Sequence, residues 1–121
     1  MSKLKIEERY AGDVTVLVLT GDMLLDDGDL AFRRHIEKLA EQGRYKILVD
    51  LDGVNTIDSS GVGMLVAQLK LTRKRGGDIR LMRLNPRSQR LLGLLKLRST
   101  FETFDDEALA LSSFERRPDA G

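Results

Sequence analysis

The chain reads as one α/β domain: a small mixed, mostly parallel sheet of four to five strands with the first strand antiparallel, flanked by about four helices. Three observations lead there. A weak and a strong β run meet at the short turn Ala11-Gly12-Asp13, which makes an antiparallel opening pair. The later β runs are separated by stretches of helical periodicity, and such crossovers join parallel strands. At 121 residues the chain has room for one core, burying about two-thirds of the surface its unfolded form exposes. The expected domain is 1–115, followed by a loose tail at 116–121.

The elements follow in order. Residues 4–10 form the weak first strand, and Val14-Thr15-Val16-Leu17-Val18-Leu19 the strong second one. Residues 29–42 have helical spacing, with Phe32, Ile36, Leu39 and Ala40 on one face and Gly43 as the stop. Residues 45–51 carry the unbroken apolar core Ile47-Leu48-Val49, the pattern of a central strand covered on both sides. Asp50 and Asp52 then finish that strand and shape a turn through Gly53. The second helix starts near Ser59, sets Val62, Leu65, Val66 and Leu69 at spacings of three and four, and runs to about Arg75 before Gly76-Gly77. Residues 78–84 alternate as a strand. Pro86 suits the first turn of a short third helix through 89–96. An extended piece at 101–104 leads to Asp105-Asp106-Glu107, acids suited to the first turn of a last helix ending near Phe114.

Composition narrows the function. With no cysteine, disulfides, zinc thiolates and a thiol nucleophile drop out, and no oxidising compartment is required. No apolar run approaches the roughly 20 residues of a membrane span, and Met1-Ser2-Lys3-Leu4-Lys5 lacks an apolar signal core, so the expectation is a cytoplasmic protein that does not enter membranes. Residues 1–60 hold 8 Lys/Arg against 12 Asp/Glu, a net of −4; residues 61–121 hold 12 against 7, a net of +5. The basic stretch from Lys70 to Arg98 contains no aromatic residue for base stacking and matches no nucleic-acid motif, so it reads as a solvated or partner-facing surface. No heptad or large unbroken apolar helix face points to an oligomer, and the free protein is expected to be a monomer.

The most informative phrase is Ile57-Asp58-Ser59-Ser60-Gly61-Val62-Gly63, which joins a buried strand to a helix and leaves two hydroxyls at the helix mouth. The first N–H groups of a helix have no intrahelical partner and carry partial positive charge, so an anion on Ser59 or Ser60 would meet donors there. Ordinary capping by Asp58 is the simpler reading of the same residues, and the two roles are compatible. On the helix that follows, Met64, Gln68 and Leu71 fall opposite the apolar stripe, which makes that face, next to Ser59, a candidate docking surface.

Together with Leu19-Thr20-Gly21, Ile47-Leu48-Val49-Asp50-Leu51-Asp52-Gly53-Val54 and the late Leu94-Leu95-Lys96-Leu97 before Phe101, this phrase resembles a STAS domain of the bacterial anti-sigma-factor antagonist type, over nearly the whole chain. The resemblance implies a STAS fold and a partner-switching protein of transcription regulation. The unmodified form binds an anti-sigma factor that is a serine kinase with a Bergerat-type ATP site and frees a sigma factor. Phosphorylation ends the complex, and a PP2C-type phosphatase restores it. The phosphorylated hydroxyl carries over to Ser59, with Ser60 a secondary candidate and Asp58 and Gly61 its neighbours. One departure is Leu24, where such proteins often carry an acid. Asp26 or Asp27 stands in for it in partner binding, or the acidic run is the approach to helix one. No cofactor, metal or catalytic residue is implied.

Enzyme readings are weaker. Asp50, Asp52 and Asp105-Asp106 resemble the acids of a magnesium-dependent haloacid-dehalogenase phosphatase, but the motif sits mid-chain with too few residues after it. A serine hydrolase lacks both the Gly-x-Ser-x-Gly elbow and a histidine partner, since His35 lies at the edge of helix one's apolar face. A further alternative is a STAS accessory subunit of a lipid transporter.

Overall fold

The weak first run and the strong second one form an antiparallel pair: β1 (Lys5–Ala11) passes through Gly12, at φ 63, into β2 (Val14–Met23). In the computed structural model residues 4–24 and 27–115 are described, the side chains of 27–29 excepted. Asp26 and the expected tail at 116–121 lie outside the described residues. The chain continues as α1 (Asp27–Glu41), β3 (Lys46–Ile57), α2 (Ser59–Lys74), β4 (Asp78–Met82), α3 (Pro86–Leu94), β5 (Thr103–Phe104) and α4 (Glu107–Ser113). One sheet results, in the order β1-β2-β3-β4-β5, parallel from β2 onward.

Each parallel strand is added on the same side of the last, so right-handed crossovers place α1, α2 and α3 on one face. There Phe32, Ile36 and Leu39 of α1, Val62, Leu65 and Leu69 of α2 and Leu92 of α3 pack on Leu17, Leu19, Ile47, Val49, Ile79 and Leu81. On the opposite face Ala110 and Phe114, from α4 and its C-cap, meet Val14, Val16, Leu48 and Met82. Residues 47–49 therefore supply both layers, which is why that run is apolar without interruption. Each fully buried leucine contributes about 1.5–3 kcal/mol, so the three-helix layer dominates.

Polar contacts fasten the thinner layer. The nearly buried Arg80 of β4 donates to Asp78 Oδ2 at 2.9 Å and Ser113 Oγ at 2.6 Å, pairs with Glu102 Oε2 at 3.0 Å, and lies over the Phe114 ring at 4.6 Å. Arg9 makes a two-pronged contact with Glu107 at 2.7 and 2.8 Å, tying edge strand β1 to the start of α4. Removing one partner of such a fork leaves the other exposed to solvent or unsatisfied, depending on its burial.

Several boundaries differ from the sequence expectation, three of them for reasons the backbone shows. The turn expected through Asp50, Asp52 and Gly53 does not form: β3 continues to Ile57 beside a β2 that runs on to Met23, with register shifts absorbing the irregularity. Gly53 permits this, because a Cβ there would lie 2.9 Å from the Leu19 carbonyl oxygen. β4 stops at Met82, two residues early, because Arg83 takes a left-handed φ of 61. α3 closes at Leu94 with Leu95 as C-cap, and Lys96 is left-handed at φ 59.

Two ion-paired glutamates make stability depend on acid. The hydrogen bonds from Arg9 hold the Glu107 carboxyl below the ordinary value of 4.5. Partial burial would raise Glu8, but Tyr10, Lys38 and His35 outweigh it and lower it. Carboxyls depressed on folding stabilise the protein above their unfolded value and lose that contribution as pH falls through the folded value. Urea titrations should show stability falling below about pH 4.5, and Glu107→Gln should be less stable at neutral pH with a flatter acid limb. An unchanged acid limb would show that the pair contributes nothing.

Candidate functional site

β2 and β3 end together, Met23 opposite Ile57, and the chain leaves the sheet at Asp58. Asp58 is the hinge of this exit. Its N–H donates to the Met23 carbonyl at 3.3 Å, its backbone is extended (φ −92, ψ 178), and its carboxylate accepts the Gly61 N–H at 2.8 Å. It is thus the N-cap of α2, and the first helical bond, Val62 N–H to the Asp58 carbonyl, follows at 3.1 Å.

Gly61 fixes how closely the helix sits. It is buried, and a Cβ there would lie 2.5 Å from the Met23 oxygen and 2.9 Å from Ile57 Cγ2. Only a residue without a side chain lets the first turn of α2 rest on the end of β2. With Gly61 turned inward, Ser59, the first residue of α2, is exposed, and Ser60 is half-buried. Their N–H groups belong to the unsatisfied first turn, which carries no acidic side chain of its own.

Sequence reasoning missed the neighbour on this edge. Asn85 caps α3 through Ser88 N–H at 2.8 Å, and its side-chain amide donates to the carbonyls of Val54 and Asn55 at 3.2 and 3.0 Å. Arg87 reaches Thr56 Oγ1 at 3.4 Å. A guanidinium therefore sits at the same end of β3, two residues before Asp58. Asn85-Pro86 was readable as a cap and first turn; its grip on β3 was not, since that contact spans some 30 residues.

The expected docking face of α2 needs correction. Met64, Gln68 and Leu71 do not form an open strip: Gln68 is 3% exposed, with its Nε2 3.5 Å from the Met64 sulfur. Met64 is half-buried against the core, and Leu71 alone is exposed, at 46%. The reason is rotation. Gly61, Gln68 and Thr72 are buried beside Val62, Leu65 and Leu69, so the inward arc centres near Leu65, and Val66 is only half-buried. Asp27 opens α1, and Asp26 lies outside the described residues; Leu24, after β2, is half-buried.

The acids of the phosphatase reading do not converge. Asp50 is nearly buried on the α4 face, accepting from Asp52 N–H at 3.1 Å and from Arg83 at 3.4 Å, while Asp106 caps α4 through Ala108 N–H at 2.9 Å. Among the described residues no group of three or more His, Cys, Asp or Glu is placed to hold a metal ion, and no helix is long and apolar enough to cross a membrane. His35 faces Glu8 at 3.1 Å, a boundary contact.

The molecule is thus an α/β domain in which a buried strand leads to an exposed serine at the start of a helix. Comparison with known proteins gives the family: residues 5–110 match the STAS domain, and the chain belongs to that family. It is 27% identical to the anti-sigma F factor antagonist of Paenibacillus polymyxa, over 93% of this chain and 96% of that one. Among solved structures, an anti-sigma factor antagonist from Mycobacterium paratuberculosis superposes with a TM-score of 0.80 at 20% identity, covering 94% of this chain and 96% of the other. The Bacillus cell fate determinant SpoIIAA in its phosphorylated form does so at 0.69 and 19%, covering 91% and 97%. At these identities the two structures establish the fold.

Gly61→Ala should destabilise the protein by about 1–3 kcal/mol through overpacking against Met23, more than Asp58→Ala, which removes one cap worth about 1 kcal/mol. Urea denaturation of the two variants measures this. A neutral Gly61→Ala would mean that the helix start is not seated as described.

Proposed function

We propose that this STAS domain is an anti-sigma factor antagonist switched by phosphorylation of Ser59. Unmodified, it binds an anti-sigma factor serine kinase with a Bergerat-type ATP site and so releases the sigma factor. The kinase transfers the γ-phosphoryl group of ATP to the Ser59 hydroxyl, the hydroxyl proton is lost, ADP leaves, and the complex separates. A PP2C-type phosphatase hydrolyses the phosphoserine and restores binding.

The observation that carries this reading is the exposure of Ser59 at the first position of α2, beside a capping Asp58, while the residue two places on is locked inward. The antagonist relatives support the same role. A phosphoserine adds about −1.5 to −2 charge and three strong acceptors. Set beside the Asp58 carboxylate it repels, and set at a helix start it is attracted. A surface complementary to a neutral hydroxyl loses its fit once a dianion occupies the spot, with its water shell. Ser60, half-buried in the same turn, is the less accessible hydroxyl. Of the candidate docking residues Met64, Gln68 and Leu71, Leu71 and the exposed part of Met64 remain available to a partner.

The test is incubation with histidine-kinase-like anti-sigma ATPases and ATP, followed by mass-spectrometric location of the phosphate. Phosphate is expected on Ser59 and absent in Ser59→Ala, which should stay bound to the kinase; Ser59→Asp should bind at least about tenfold more weakly. Phosphate elsewhere, or equal binding by all three proteins, would refute the switch.

A further inference from the structure

The end of α3 presents a surface that neither the core nor the helix mouth at Ser59 uses. Leu91 and Leu92 turn inward, but Leu94 is 74% exposed and Leu95 39%. Around them Arg90, Lys96 and Arg98 are exposed, and residues 83–101 contain no acid. Several other cations are paired: Arg9 with Glu107, Lys38 with Glu8, Lys46 with Asp13, Arg73 with Asp78. Among the described residues Arg90, Lys96 and Arg98 have no carboxylate at ion-pair distance. A cleft of about 340 Å³ opens between α3 and β5, with Leu84, Leu92 and Phe104 among its walls and Arg98 and Asp105 also lining it.

We propose that this face docks an acidic protein segment bearing a large apolar anchor side chain. The anchor seats against the exposed Leu94 and Leu95, and flanking carboxylates engage Arg90, Lys96 and Arg98. Exposed leucines ringed by uncompensated cations favour a partner with the reverse pattern, apolar residues among acids. A protein segment fits better than a lipid surface. α3 has nine residues and its apolar face is already committed to the core, leaving two leucines, whereas membrane-surface helices present a whole apolar face. Nothing here rests on phosphorylation of Ser59: Leu94 lies about 12 Å along the helix axis from its start, the end of α3 nearer the β3 terminus.

Selection of randomised peptides displayed on phage against the whole protein tests this, with phosphatidylglycerol vesicles as a parallel arm. Enriched peptides should share acidic residues flanking Leu, Ile or Phe. Synthetic copies should bind about tenfold or more weakly to Leu94→Ser and to Arg90→Glu, lose affinity with added salt, and bind Ser59→Asp as they bind the unaltered protein. Both variants change exposed side chains, so their melting curves should match that of the unaltered protein. The proposal fails if no acidic-apolar consensus emerges, if the selected peptides bind the variants undiminished, or if the protein binds the vesicles and no peptide.

Discussion

The contact of Gly61 with the end of β2 is the constraint on which the rest of the site depends. Met23 and Ile57 finish adjacent strands side by side, and α2 must start above them because Asp58 is held to the Met23 carbonyl. With only a hydrogen atom at residue 61, the first helical turn rests on that carbonyl. A methyl group in its place would lift the helix or twist it. The same contact sets the rotation of the whole helix. Once Gly61 faces inward, Leu65, Gln68 and Thr72 must follow it, and Ser59 must face out.

Magnitudes indicate which part of the molecule a charge at Ser59 can alter. α2 is held by Val62, Leu65 and Leu69, all 3% exposed or less, each contributing on the order of 1.5–3 kcal/mol. Helix-end attraction and repulsion from the half-buried Asp58 carboxylate are each about 0.3–1 kcal/mol and oppose each other. The electrostatic change within the domain is therefore small against the packing that seats the helix, whereas a partner surface must desolvate the hydrated dianion to bind, which costs far more. On the proposed function, the modification rewrites a surface and leaves the sheet intact. Arg87, held at Thr56, adds a cation to the same edge.

Much of this arrangement was legible in the chain. The order of elements followed from apolar runs alternating with helical spacing, and the capping role of Asp58 from residue type at a strand-to-helix junction. What stayed hidden was long-range. Asp50-Leu51-Asp52-Gly53 has turn chemistry, yet β2 pairs through it, and pairing across some 30 residues overrides local preference. Gln68 reads as a surface residue by type, but burial of Gly61 and Thr72, invisible to a hydrophobic stripe built from Val and Leu, pulls it inward. The left-handed turns at Arg83 and Lys96 use residues that give no such signal, as glycine would have done. Family resemblance supplied the role assigned to Ser59, and residue physics supplied the reason the position can bear it.

Native-state amide hydrogen exchange on the unmodified and Ser59-phosphorylated protein tests the central claim most directly. Protection of the β2, β3 and β4 core amides should be the same in both forms, with differences confined to the end of β2, the Asp58 junction and the first turn of α2. Loss of protection across the core strands on phosphorylation would contradict it, because the added charge would then act by unfolding the domain.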